Sequence, residues 1–484
     1  MNMQAIIERL KQAANQVTSQ ILKDLVQEHM SIKTEMIRKY NAYQAKGVPI
    51  LTRSVPDSTK ANNKLVNDFR GEVVDQIVGY LFGNPVTYFV KPENYENGKD
   101  SQEFKNDSLA LNYFRVDNRL DDIDAETGKM MSICGRAVRL CYINTEGKER
   151  VMNIDPWECI FIYDRSLDQV QYALRYYTVK VVEGTKSADR IRVEWYDNQR
   201  VYFYIQTGNG DYVPDLTEEN LDDAFGMRNS KLHLFDYVPL LDYPNNKECQ
   251  GDFEKVESLI DGYDKTLSDA QNEIEDLRLA YLLFKGIVPT KESLAQAKQS
   301  GAFGCDKDDT IEYLTKQIND TFVENHKKTL RENIYRFAKS VDVHADTFTG
   351  SGASGEARKW LLLALENKGS TKERKFKSAT FQMFKVLSTA WNKKNIKLTP
   401  QKIDVKLDRN LPVELLSESQ IQMNLKGMIS DRTRLGLLSV IADVDAEIQR
   451  MQEEQEERID LIGMDNEGAP PLEPEDNKNN EPKE

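Results

Sequence analysis

A chain of 484 residues has room for roughly two to four domains and a substantial core. With 39% hydrophobic and 30% charged residues and a mean hydropathy of −0.62, it reads as a soluble, polar protein with more surface than one compact globule needs, which favours an elongated or assembled shape. The net charge of −14 and pI near 5.1 exclude a protein that grips nucleic acid by broad charge neutralisation, since that needs a Lys/Arg surface; passing contact with DNA stays open.

The first 45 residues form one or two amphipathic helices, with Ile6, Ile7, Leu10, Val17, Ile21, Leu25 and Met30 as apolar positions, ending at Lys46-Gly47-Val48-Pro49. They carry no apolar h-region or cleavage site and are not read as a signal peptide. No uninterrupted apolar run of about 18 residues occurs, so no membrane span is expected. Asn63-Lys64-Leu65-Val66-Asn67-Asp68-Phe69 leads into a helix with Val73, Val74, Ile77, Val78 and Leu81 on its apolar face, stopped by Gly83-Asn84-Pro85. Residues 120–131 look helical and 135–144 alternate as a strand. Residues 151–163, 172–182, 190–196 and 200–206 are β-branched and aromatic runs between turn residues. An α+β domain up to about residue 250 follows from these patterns.

From Phe253 the apolar positions Val256, Ile260, Tyr263, Leu267, Ala270, Ile274, Leu277, Tyr281 and Phe284 alternate three and four apart, a heptad seam. If helical throughout, this piece is ~48 Å long and must be buried against a partner within the chain or in a neighbouring subunit. Residues 279–318 read as a small α/β module, with a helical 292–299 and a strand-like 310–314. A helical stretch, 322–343, then runs into Thr347-Phe348-Thr349-Gly350-Ser351-Gly352-Ala353-Ser354-Gly355, and a second long helix begins at Glu356, with a break expected at Gly369-Ser370. Residues 403–407 alternate like an edge strand, 415–462 form a helical tail, and 463–484, rich in Pro, Asn and Glu, are expected to be disordered.

The sequence advertises no active site. The loop spells G-x-G-x-x-G at Gly350, Gly352 and Gly355, but a dinucleotide cradle requires a preceding strand, and Leu330, Ile334, Phe337 and Val341 lie at helical spacing. A nucleotide-binding enzyme using those glycines is the alternative of a different class, and the loop is read instead as exposed and flexible. No phosphate loop and no G-x-S-x-G elbow occur. The histidines, His29, His233, His326 and His344, form no metal-ligand pattern, and the five cysteines, odd in number and without C-x-x-C, read as free thiols of a reducing cytosol. No cofactor and no metal are expected. Asp121-Asp122-Ile123-Asp124-Ala125-Glu126-Thr127-Gly128 superficially resembles a calcium loop, but the glycine is displaced and position 12 lacks an acid, so it is read as a solvated helix face. Lys372, Arg374, Lys375, Lys377 and Lys385 form a basic cluster, read as a solvated face balanced by Glu366 and Glu373, or more sharply as a contact to a phosphate backbone.

The chain resembles the portal proteins of tailed bacteriophages, in particular those of siphophages. The resemblance rests on residues 40–50, on the 63–85 segment ending Gly79-Tyr80-Leu81-Phe82-Gly83-Asn84-Pro85-Val86, and on Ile154-Asp155-Pro156 with Ile162-Tyr163-Asp164. It continues with Asp252-Phe253-Glu254, Leu259-Ile260-Asp261, Ser354-Gly355-Glu356-Ala357-Arg358-Lys359 and residues 443–447. It implies an α+β, mainly helical fold without catalysis, assembled as a homo-oligomeric ring, a dodecamer, at one capsid vertex of the virion and built in the host bacterial cytoplasm. The parts implied are a wing (1–250, with 395–414 returning to it), a stem (251–278 and 319–342), a clip (279–318), a tunnel loop and long kinked wing helix (343–394), a crown (415–462) and an acidic tail (463–484). The implied partners are double-stranded DNA passing without sequence specificity, the terminase large subunit, a head-completion or connector protein, and the major capsid and scaffolding proteins, with no membrane. The implied channel residues are His344, Asp346, Thr347, Phe348, Thr349, Gly350, Ser351, Gly352 and Ser354, and Arg358, Lys359, Lys372 and Lys375 are the candidates for contact with the DNA backbone. Another non-enzymatic phage head morphogenesis or adaptor protein is the alternative that shares the helical scaffold.

Overall fold

The computed structural model describes residues 3–12, 16–55, 60–164, 169–183, 186–217, 229–277, 281–286, 288–301, 310–314, 320–344, 360, 362–411, 415–438, 441, 444 and 447–454. Two units emerge, Met1–Asn410 and Leu411–Glu484. The first mixes helices and strands, and three of the hydrophobic clusters among its described residues position the site.

The first helices are α1 (Met3–Gln12) and α2 (Ser19–Tyr43). Thr18 caps α2, its hydroxyl accepting from the Ile21 N–H, and Ile21, Leu22, Leu25 and Val26 repeat at helical spacing on one buried face. That face lies on a six-stranded antiparallel sheet made of β4 (Cys159–Tyr163), β5 (Val170–Glu183), β6 (Lys186–Tyr196), β7 (Arg200–Gln206) and β8 (Tyr212–Pro214) in that order, with β9 (Ser230–Leu232) also on β7. The opposite face of this sheet packs on a smaller antiparallel sheet in the order β10 (Leu240–Pro244), β2 (Arg136–Ile143), β3 (Glu149–Ile154), through Val138, Leu140, Phe161, Ala173 and Val201. The apolar run 151–163 is therefore two strands, divided at Asp155-Pro156, where proline lacks a ladder donor and opens a short 3-10 turn.

The third cluster gathers helices. It joins α2 to α3 (Phe69–Phe82), α5 (Leu120–Cys134), α6 (Glu257–Leu277) and α8 (Asp320–Ala338) through Met36, Phe69, Val73, Val74, Ile133, Phe253, Val256, Ile260, Ile334 and Tyr335. The strand β1 (Thr87–Val90) pairs with β13 (Ile403–Lys406), so residue 403 and its neighbours return to the N-terminal part of the chain. Helix α4 (Gln102–Asn118) was not legible, because Asp107 and Asn118 share its buried face with Leu111 and Phe114 and dilute the apolar period. In the second unit α10 (Leu415–Leu425) and α11 (Asp431–Leu435) are helices, the latter capped by Ser430, and residues 447–454 are helical as well.

The acidic run 121–128 is not simply a solvated face. Asp121 and Asp122 are exposed, but Asp124 is buried and accepts from Arg139 at 2.5 Å and from the Tyr88 hydroxyl at 2.7 Å. Asp124, Thr127 and Gly128 fall at i, i+3 and i+4 and turn inward together, Thr127 also receiving Arg139.

On the buried face of α2, His29 has its Nδ1 2.9 Å from the Tyr176 hydroxyl. Burial pushes its pKa down from 6.5 to about 4, helped by the nearby charges of Arg136 and Lys33. The folded chain thus resists a proton that the unfolded chain accepts: the stabilisation is fully present above pH 6.5 and is lost as pH falls toward 4, by up to about 3 kcal/mol. Denaturant melts across that window should show this slope in the wild type and a flatter one in His29→Gln, which keeps a hydrogen-bonding group without titrating.

Candidate functional site at the paired helices and the loop that follows

The N-terminal part of α6 (Val256 and Ile260 at and just before it) meets the C-terminal part of α8 (Ile334, Tyr335 and Ala338), while Leu267, Ala270 and Ile274 face Val323 and Lys327. The two helices are therefore antiparallel. Between their far ends lies a groove of about 180 Å³, and Ile274 there is exposed. The heptad seam does not continue as helix to Phe284. The 21 residues of α6 span about 32 Å, and Tyr281–Lys285 forms β11, paired antiparallel with β12 (Thr310–Leu314). Three-and-four spacing cannot by itself distinguish the last apolar residues of a helix from a short strand; Gly286, at φ +91°, and Pro289 follow the strand and mark its end. The helix α7 (Lys291–Ser300), with a capping box at Thr290 and Ser293, lies between the two strands in sequence.

The segment 61–68 has no regular structure, yet it is fixed along α6. The backbone N–H groups of Asn63, Leu65 and Asn67 donate to Asn272 Oδ1 (2.7 Å), Ser268 Oγ (3.0 Å) and Asp264 Oδ1 (2.8 Å). Alternate residues of an extended chain advance by about 6.6 Å, and residues four apart in a helix by about 6 Å, so a strap running against the helix stays in step with it. Arginines complete the seam: Arg53 on Asp269, Arg70 on Asp261 and Arg38 on Glu257, at 2.5, 2.6 and 2.8 Å. The acids of α6 are thus largely occupied within the chain.

The next part of the site holds the two ends of the loop. Glu72, Gln76 and Tyr80 recur every four residues on α3. Glu72 accepts from the Tyr335 hydroxyl on α8, and Gln76 holds residues 340 and 341. Tyr80 donates to Glu366 at the start of α9 (Leu363–Lys393). Glu366 also receives a bidentate pair from Arg409, both bonds 2.8 Å, and these donors, Arg409 first, hold its carboxyl down at about 2. The sequence suggested a break at Gly369-Ser370; α9 instead continues unbroken. Gly369 lies where α9 crosses α3, and a Cβ there would stand 3.2 Å from Leu81 Cδ2, so the glycine serves close approach.

One turn further along α9, Lys372 is 1% exposed, donates to Asp252 Oδ2 at 2.7 Å and also bonds the Ser132 hydroxyl. Lys368 lies 3.4 Å from Asp252 Oδ1 and donates to the Ala338 carbonyl at the end of α8. Burial alone would raise the Asp252 pKa; the two lysines reverse this and leave it well below the usual carboxylate range. Next to it Glu254 receives Lys39 of α2, and Phe253 is fully buried.

Of the residues singled out from sequence, His344 is described and exposed, its N–H on Asp342 Oδ1. Asp346, Thr347, Phe348, Thr349, Gly350, Ser351, Gly352, Ser354, Arg358 and Lys359 lie outside the described residues. Lys375 is half-buried and has no ion-pair partner among the described residues, and Lys377 pairs with Glu373. Lys372 is the correction: it is neither on a solvated face nor open to a phosphate, because its ammonium is enclosed against Asp252. Glu366 answers mainly to Arg409, which sequence reasoning passed over, and Glu373 is shared between Arg409 and Lys377. Gln76 was also missed, although polar residues at i, i+4 and i+8 beside the apolar face of that helix were a usable signal. Among the described residues, no group of three or more His, Cys, Asp or Glu could hold a metal, and no helix is long and apolar enough to cross a membrane.

Comparison with known families places this chain of mixed helix and strand among the components of the phage particle. A model of the family "Phage portal protein, SPP1 Gp6-like" matches residues 22–461, and the chain belongs to that family. It is 25% identical to the portal protein of Bacillus phage SPP1 over 500 aligned positions, covering 96% of this chain and 92% of that protein. It is 24% identical to the portal protein of Clostridium phage phiCD119 over 461, covering 91% and 95%.

Replacing Lys372 by Met should lower the unfolding free energy by about 3 kcal/mol or more, since it strips a buried carboxylate of its nearest cation. Arg374→Met, on the exposed side of the same helix, should stay within about 0.5 kcal/mol. Chemical denaturation of the two variants side by side measures the difference.

Proposed function

We propose that this chain is the subunit of a homo-oligomeric ring, a dodecamer, at one vertex of the capsid, through which double-stranded DNA enters and leaves without sequence-specific contact and without catalysis by the ring itself. The observation that carries this reading is the family match over residues 22–461. The antiparallel α6 and α8 joined by a small strand-helix-strand module support it further. On this reading the two helices are the stem (251–278 and 319–342), 279–318 is the clip, 1–250 with 395–414 is the wing, 415–462 is the crown, and 344–354 is the loop that projects into the channel. Terminase and a head-completion or connector protein dock on the ring, and the major capsid and scaffolding proteins surround it in a particle assembled in the host cytoplasm.

Several features of the chain suit such a conduit. Its end points hold the loop at both sides: Lys368 on α9 reaches the last carbonyl of α8, so the chain leaves and returns at neighbouring places. The 15 residues 345–359 can extend out and back by no more than about 25 Å. DNA carries one charge per about 1.7 Å of axis, so a mostly acidic wall with sparse cations lets it slide where a lysine-rich wall would retain it. Lys375 remains a candidate for passing contact, with Arg358 and Lys359.

Negative-stain images of the purified protein should show rings with a central hole; monomers under all conditions would overturn the reading, and an electrostatic map of the ring with a continuous basic lining would overturn its account of sliding. Deleting residues within 346–353 should leave ring assembly intact and reduce DNA packaging, measured as nuclease-protected DNA in proheads.

A further inference from the structure

We propose that Gln76 is the positioning residue of the loop after α8, its side-chain amide setting the point and direction at which the chain leaves that helix; the importance of this for DNA rests on the reading of 344–354 as the channel loop. Gln76 treats Val341 as a neighbouring strand would. Its Nε2 donates to the Val341 carbonyl at 2.6 Å and its Oε1 accepts the Val341 N–H at 3.0 Å, so both polar groups of one residue are taken by one amide. The Ser340 hydroxyl donates to the same Oε1.

The helix end beside it needs such a hold. Lys339 has φ +56°, the left-handed conformation usually left to glycine at this place in a helix stop, and the Ser340 N–H reaches back to the Tyr335 carbonyl at 2.9 Å to close the terminating turn. A side chain in that conformation is maintained only where its surroundings over-determine it. Here the surroundings are Gln76 on the segment after the stop, Glu72 on Tyr335 before it, and Lys368 on the Ala338 carbonyl. The return is separately fixed, with Tyr80 and Arg409 on Glu366. A hydrophobic residue at position 76 would fill the same space against α8 but could not impose a direction on residue 341. The position of Gln76, one turn from Glu72 and one from Tyr80, lets a single face of α3 govern both the departure and the return of the loop.

The test uses the assembled full-length protein and trypsin, with cleavage after Arg358 and Lys359 followed by mass spectrometry. Gln76→Met keeps the length of the side chain and removes both amide bonds. Cleavage at these two sites should rise several-fold, while cleavage at sites outside 339–362 stays at the wild-type rate. Adding Lys339→Gly, which adopts the left-handed turn without help, should bring it back toward wild type. Asn63→Ala, which removes the 2.9 Å bond from Asn63 Nδ2 to Asn272 Oδ1 and so weakens the strap on α6, should lower the thermal midpoint without changing cleavage in the loop, separating a local latch from general loosening. If Gln76→Met does not assemble, Ser340→Ala removes one bond to the amide and keeps the other two, and it should raise loop cleavage about twofold. Wild-type cleavage in Gln76→Met, or in Ser340→Ala where that stands in for it, overturns the proposal, as does a failure of Lys339→Gly to restore the double variant. Increased cleavage with unchanged DNA packaging leaves the latch standing and counts instead against the loop's place in the channel.

Discussion

A single carboxylate, that of Asp252, is the constraint on which the central part of this structure depends. It is almost wholly removed from water, and an ionised acid in that position is tolerable only with cations and donors around it. Lys372 and Lys368 come from α9, Asn245 from the turn after β10, and the Asp252 N–H goes to the Ser132 carbonyl of α5. The backbone has to come close for this to happen. A Cβ on Gly251 would lie 2.5 Å from the Ile133 carbonyl oxygen, and Gly135, at φ +81°, ends α5 where a Cβ would lie 2.0 Å from that of Cys249. The arrangement therefore fixes where α6 begins relative to the helix that follows the loop, although more than a hundred residues separate them in sequence.

The same logic extends outward from that point in polar contacts rather than apolar ones. Along α6 the strap 61–68 satisfies its backbone donors on side chains four residues apart, and arginines pair with Glu257, Asp261 and Asp269 of the same helix. Along α3 one polar stripe, at 72, 76 and 80, reaches α8, the turn after it, and α9 in succession. Hydrophobic burial in the third cluster, around Phe253 and Tyr335, supplies non-directional cohesion. Directional bonds then choose the register of one helix against another, which is what a protein needs if a loop is to be presented at a defined place.

Much of the fold was legible. Residues 200–206 are a strand with the limits read from β-branched and aromatic composition, the helix stop at Gly83 follows Phe82, and the small α/β module between α6 and α8 has its strand-like 310–314 where alternation put it. Failures came where polar residues are buried. Helix α4 hid because Asp107 and Asn118 face inward, Asp124 looked solvated because its partner Arg139 lies in another element, and Lys372 looked like one lysine among five on a charged face. In the candidate site, His344 and the loop after it were named through the resemblance alone, whereas Gln76, Lys368 and Arg409 were not noticed.

What the sequence by itself determined is many of the elements and the family, because periodicity, glycine and proline act locally and the motifs from Asn63 to Asp261 keep their order along the chain. Only the tertiary structure decided what the charges do. Whether a lysine is solvated or paired, and whether a glycine breaks a helix or admits a neighbouring one, depends on groups brought together from distant parts of the chain. Electrostatic and hydrogen-bond energies depend on separation in space and on exclusion of water, and neither is written in any window of consecutive residues.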